Sequence, residues 1–316
     1  MKRATPTLAV YAAQWGARRT NVDAPAERSK IIKHVLPRLG HKLMPNIRPR
    51  HIDDLIAALR NEGTLAPRTI RSLAGLLATM FRRAVKDEVI VMSPYMIERG
   101  QLPKKIDKDP TWRAEAIYTR AEAEQLCSDE RIPFDRRVLY ALKFLAGLRH
   151  GEAARLTWRA YDAAALPLGR LSIGKTKSGV PRAVPVHPAL AELLAEWRQH
   201  DPIGSSTGGL IVPTRNGTER SANESQRQLI ADLEALGLET RAGVQQHRRG
   251  HDLRRTFVSL ARADGAFDGP LRWVSHGPSA SSMTDLYSTF SWSSLCSEVA
   301  KLRVDLRRGV LLSLAA

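Results

Sequence analysis

Cysteine is almost absent from the 316-residue chain: only Cys127 and Cys296 occur, which excludes a disulfide scaffold and fits a reducing compartment. Long apolar runs are missing too. The longest candidate, Gly309-Val-Leu-Leu-Ser-Leu-Ala-Ala316, falls far short of the roughly 18 residues a spanning helix needs. No apolar segment of the secretory kind follows the basic start Met1-Lys2-Arg3, so a cytoplasmic protein without a membrane partner is expected. Two chemical signatures are also lacking. No set of carboxylates reads as a two-metal nuclease centre, and no Gly-x-x-x-x-Gly-Lys-Ser/Thr loop is present to bind nucleotide. His150, His247, His251 and His276 lack the spacing of metal ligands, so no metal and no other cofactor is expected.

What the chain has in excess is positive charge. Its 49 Lys and Arg against 32 Asp and Glu give +17, a field that attracts polyanions and makes nucleic acid the leading partner. Residues 1–108 hold 21 basic and 9 acidic side chains, so most of the excess lies in the first third. An Arg-rich genome would explain the total better than this asymmetry. The length predicts two domains, 1–108 and 109–316, and a 43% hydrophobic share is enough for real cores.

The first block reads as helical. Ile52, Leu55, Ile56 and Leu59 recur at helical spacing and close at Gly63. A longer helix opens at Pro67, with Ile70, Leu73, Leu77, Met80, Phe81 and Ala84 on one face, and Ser93-Pro94 is expected to stop it. Its polar face carries Arg68, Arg71, Arg82 and Arg83, which with Lys104 and Lys105 are candidate DNA contacts. Residues from Arg99 to Trp112 read as an exposed linker. In the second block Thr119-Arg-Ala-Glu122 forms a capping box before an apolar helix, and another helix spans roughly Pro133 to Gly147. Gly169–Gly174 and Pro181–Val186 predict a hairpin, and further helices are expected around Glu224–Leu236, Asp252–Ala263 and Ser281–Thr289. Val299, Leu302, Leu306 and Val310 continue a helical spacing into the tail. Tyr140, Tyr161, Trp273 and Trp292 read as packing residues. The fold class is mainly α with a small antiparallel sheet.

Four separated clusters in the second block carry chemistry. They are Ala146-Gly-Leu-Arg149-His-Gly-Glu152, Gly174-Lys-Thr-Lys177-Ser-Gly179, His251-Asp-Leu-Arg254, and His276 followed by Tyr287. Each is weak alone. Together they describe a metal-independent phosphoryl-transfer site. Guanidiniums offer forked donors to non-bridging phosphate oxygens, a Lys can protonate a leaving alkoxide, a His can hold or remove a proton, and a Tyr hydroxyl can attack.

The order Arg … Lys … His-x-x-Arg … His … Tyr resembles the tyrosine recombinases, the phage integrase family. Gly250-His-Asp-Leu-Arg-Arg-Thr-Phe257 resembles the family's His-x-x-Arg box, Lys177-Ser-Gly-Val-Pro-Arg-Ala-Val-Pro185 its lysine hairpin, and Ala66–Phe81 its helical core-binding domain. The resemblance implies a SAM-like N-terminal domain and a C-terminal catalytic domain that grip duplex DNA as a clamp. It implies that Tyr287 attacks the scissile phosphate, Arg149 and Arg254 hold it, and Lys177 rather than Lys175 protonates the 5′-oxygen. His251 would act on the tyrosine proton and His276 would bond a phosphate oxygen. Glu152 would orient the arginine box, or serve only as a charge at a helix start. Site-specific recombination for integration or excision, a homo-tetramer on paired sites, an accessory DNA-bending factor and nucleoid association are implied as well. Ten residues separate His276 from Tyr287, a little more than the family's common spacing, and no large arm-binding domain is expected. A type IB topoisomerase and a catalytically silent DNA-binding relative remain as alternatives. The tail either caps its own core or docks on a neighbour.

Overall fold

The computed structural model describes residues 5–21, 23–104, 116–174, 181–201, 204, 206, 208–238, 248–277 and 289–306. The chain divides into two compact units, Met1–Pro110 and Thr111–Ala316, each with its own hydrophobic core.

The described part of the first unit is helical: α1 (Leu8–Ala17), α2 (Ala24–His34), the short α3 (Leu36–Leu39), α4 (Pro49–Asn61) and α5 (Pro67–Lys86). In α4 the residues at i, i+3, i+4 and i+7, namely Ile52, Leu55, Ile56 and Leu59, are all buried. Gly63 beyond its end takes φ +63°, a conformation only glycine adopts without strain. Pro67 occupies the first turn of α5, where its missing N–H costs nothing. The stripe Ile70, Leu73, Leu77, Met80, Phe81 and Ala84 faces the core.

Two expectations need correction in this unit. Helix α5 ends at Lys86, well before Ser93-Pro94. Asp87 follows it and accepts from Tyr11, Arg18 and Arg83, and Glu88 takes φ +55°, so a local anchor rather than the proline ends the helix. Residues 101–103 are not free linker either. Arg60 donates to the Gln101 carbonyl and Arg71 to the Pro103 carbonyl, both at 3.1 Å, which straps the segment to the unit.

The second unit is built around α7 (Phe134–Leu145), buried along Val138–Leu145. Against it pack α6 (Arg120–Ser128), α9 (Pro188–His200) and α11 (Gly250–Ala263). The capping box at the start of α6 forms as expected, with Glu122 accepting from the Thr119 N–H at 2.7 Å. The short α8 (His150–Ala154) follows α7, and α10 (Ala222–Ala235) lies against α11. The hairpin is present as β2 (Arg170–Ile173) and β3 (Arg182–Pro185), antiparallel with Leu171 opposite Val184. A two-residue strand the sequence did not announce, β1 (Tyr161–Asp162), pairs with β2, so Tyr161 belongs to the sheet. Helices α12 (Asp268–His276) and α13 (Trp292–Ala300) pack on β3 and on each other. The tail helix stops at Ala300. Leu302 and Leu306 still pack on the core from a non-helical segment, and Val310 and residues 281–288 lie outside the described residues.

Candidate active site

The site begins with a glycine. Gly147 leaves α7 at φ +59°, and a Cβ there would meet the Phe257 ring at 2.7 Å, so only glycine fits both the turn and the ring. The turn delivers Arg149 in extended conformation to the start of α8. Glu152, one turn on, closes that start by accepting the Arg149 backbone N–H at 2.8 Å, and it pairs with the Arg149 guanidinium at 2.8 Å. Two cations hold Glu152: burial alone would raise its pKa, but Arg182 and Arg149 bring it down to about 2.

Arg254 enters from the second turn of α11 and is buried. Its two terminal nitrogens donate to the Gly147 carbonyl, beside the arginine turn, and to the Ser275 carbonyl at 2.7 Å, beside His276. One side chain thereby joins three elements: the α7–α8 turn, α11 and the end of α12. Burial first, and Arg149 second, push its pKa down to about 10, so it stays a cation at neutral pH.

His251 opens α11 and His276 closes α12, and both are exposed. Their pKa values lie below the usual histidine range. Desolvation is the largest cause for both; Arg254 and Arg255 follow for His251, and Arg254, Arg149 and Arg182 for His276. Both imidazoles are therefore neutral at pH 7, able to accept a proton. Asp252 is buried beside His251 and accepts from the Arg249 N–H and from Arg255, both at 2.8 Å, which fixes the first turn of α11.

Arg149, Glu152, His251, Arg254 and His276 are thus brought together. Lys177 and Tyr287 lie outside the described residues, as do Lys175, Lys105 and His247. Of the candidate DNA contacts, Arg68, Arg82 and Lys104 are exposed, whereas Arg83 pairs with Asp87 and Arg71 with the Pro103 carbonyl. Among the described residues no group of three or more His, Cys, Asp and Glu could hold a metal.

Sequence reasoning passed over two buried cations. Arg182, on β3, pairs with both oxygens of Glu152 at 2.8–2.9 Å. The signal was a charge sharing the inward face of a strand with Val184. Lys143 is 2% exposed in the middle of the apolar run of α7, and burial pushes its pKa down to about 8. Its ammonium would lie 2.7 Å from a Cβ on Gly250. Burial first, and Lys143 second, lower the pKa of His150, whose ring meets the Arg220 carbonyl at 3.0 Å.

Two arginines and two neutral imidazoles come together on a mainly helical frame, a set whose forked donors and proton acceptors are chemically suited to a phosphate group. The phage integrase family is matched over residues 115–264. Tyrosine recombinase XerC of Brucella melitensis biotype 1 is 25% identical over 249 residues, 78% of this chain and 75% of that protein. The Tn1549 transposon integrase in complex with circular intermediate DNA shares the fold at TM-score 0.65 and 16% identity, over 93% of this chain and 99% of that one. A lambda integrase tetramer bound to a Holliday junction does so at TM-score 0.65 and 18% identity, over 87% and 77%. The chain is thus similar to the phage integrase family of tyrosine recombinases, through residues 115–264 and through its likeness to XerC. No described helix is long and apolar enough to cross a membrane.

Proposed function

We propose that this enzyme catalyses site-specific DNA recombination through a covalent 3′-phosphotyrosine intermediate, with Tyr287 as nucleophile. The observation that carries the reading is the reach of Arg254 to the carbonyls beside both Arg149 and His276, which gathers phosphate-binding groups from three separate parts of the chain. Arg149 and Arg254 hold the non-bridging oxygens and offset the charge of the pentacoordinate transition state. His251, neutral, takes the proton from the Tyr287 hydroxyl as its oxygen bonds to phosphorus, and His276 hydrogen-bonds a phosphate oxygen. The bond to the 5′-oxygen breaks, and Lys177 gives that oxygen a proton. Reversal by an incoming 5′-hydroxyl rejoins the strand. The ester conserves the bond energy, so no nucleotide cofactor is required.

Duplex DNA is the substrate in this reading. The first unit contributes through Arg68, Arg82 and Lys104, with Arg71, Arg83 and Lys105 nearby in sequence. By extension from the lambda integrase tetramer bound to a Holliday junction, four copies act on paired sites. An accessory DNA-bending protein and residence on the nucleoid are proposed beside this, on the family resemblance alone. The test is covalent capture from a pool of nicked duplexes with a randomised core. The wild-type chain should yield an adduct that survives denaturing electrophoresis, and Tyr287→Phe should bind DNA yet yield none. An adduct from the Phe variant would overturn the nucleophile, and no adduct from the wild type would overturn the reading.

A further inference from the structure

Glu152 has four acceptor positions on its two carboxylate oxygens, and all four are taken. Two are filled by the Arg149 backbone N–H and guanidinium, and two by the paired terminal nitrogens of Arg182. The third nitrogen of Arg182, Nε, donates to the Val274 carbonyl at 2.8 Å, one residue before the carbonyl held by Arg254. The Arg182 side chain is fully buried, whereas that of Arg149 is 29% exposed. Arg182 therefore cannot reach a ligand at the surface, and Arg149 can.

We infer that Arg182 is a positioning residue for Arg149: it neutralises and immobilises Glu152, so that Arg149 keeps its direction and its charge for the scissile phosphate. The electrostatics follow from a count of charges. Glu152 and Arg149 alone would form a neutral pair, in which the carboxylate competes with phosphate for the same guanidinium. With Arg182 added, the trio carries one net positive charge, and Arg149 is the member that faces solvent. The Val274 contact extends this control to the end of α12, so the strand that leaves the lysine hairpin, the arginine turn and the His276 terminus are held by one side chain. A simple core ion pair would not require its anion to be shared with a surface-facing arginine. The inference rests on the functional reading above.

The test uses the full chain and the duplex sequence that the wild type captures covalently from the randomised pool. Single-turnover cleavage is measured on that duplex with an ordinary scissile phosphodiester, and again with a methylphosphonate that lacks one charged non-bridging oxygen. Arg182→Met should slow phosphodiester cleavage about 10²-fold or more, the scale of losing one oriented donor to a transition-state oxyanion. It should slow methylphosphonate cleavage far less, so the ratio of the two rates falls at least tenfold. Adding Glu152→Gln to Arg182→Met should recover tenfold or more, because a neutral amide no longer draws Arg149 away. Arg182→Lys, which keeps the charge but not the three-way grip, should fall between wild type and Arg182→Met. If Arg182→Met does not fold, the same ratio is read from Arg182→Lys and from the double variant. An unchanged ratio, or no recovery in the double variant, overturns the positioning role while leaving the functional reading intact. Absence of any wild-type adduct overturns the reading itself.

Discussion

Each ionisable side chain at the site owes its state to its neighbours. Desolvation of the His251 and His276 rings, and then the arginines close to them, make a positive charge on either ring costlier. Protonation is thereby confined to pH values below the ordinary 6.5. If neutral His251 takes the tyrosine proton, cleavage should fall on the acid side with a midpoint below the ordinary histidine value of 6.5. A single-turnover pH profile checks this, and His251→Gln should lower the plateau and remove the acid limb. Lys143 runs the other way in cost. Its pKa of about 8 in the folded chain lies below the ordinary lysine value, so the folded form binds fewer protons than the unfolded form between pH 8 and about 10.5. Stability from this group is therefore lowest below pH 8 and rises as the pH climbs towards 10.5. A depression of this size corresponds to about 3 kcal/mol of burial cost at neutral pH. Lys143→Met should raise stability by roughly 1–3 kcal/mol at pH 7 and flatten that rise, as read by denaturant unfolding across pH.

Among the elements, the turn from α7 into α8 is the least forgiving. Gly147 combines φ +59° with a Cβ position 2.7 Å from the Phe257 ring, and its carbonyl receives Arg254. Gly147→Ala should cost about 2 kcal/mol or more through backbone strain alone, and the ring must shift as well. Thermal unfolding should show the loss, and cleavage should drop further than stability because Arg149 and Arg254 both meet at this turn. The helices of the first unit were legible because their apolar residues recur at 3.6 and their proline and glycine punctuation is local. The hairpin was legible from two short runs about a turn. Strand β1 was not, since two residues carry no period. The end of α5 was misplaced because Asp87 draws its partners from Tyr11 and Arg18, some 70 positions upstream. At the site, the His-x-x-Arg spacing showed directly that His251 and Arg254 share a helix face. That Glu152 answers to Arg182 rather than to Arg149 alone depends on a strand pairing that brings residue 182 back beside residue 152.

Over the whole molecule, the two units differ in charge as well as in core. The first carries most of the excess basic residues on a helical frame with its own buried cluster. A fragment ending at Pro110 should bind duplex DNA weakly, with log affinity falling by about 0.9 per decade of salt for each phosphate neutralised. Fluorescence anisotropy across a salt series reads the slope, and a flat response would remove this unit from the DNA-gripping role. The second unit is tied together at long range. The Arg254 bond to Gly147 spans 107 positions, Arg182 to Val274 spans 92, and the Tyr118 N–H reaches Thr256 on α11 across 138. Contacts between such distant positions must wait for the loops between them to close, which is slow. In kinetic terms, the groups proposed to hold phosphate are expected to come together late as the chain folds. On the proposed function, a half-folded chain would lack the means to cut, and strand breakage would be withheld until the enzyme is complete.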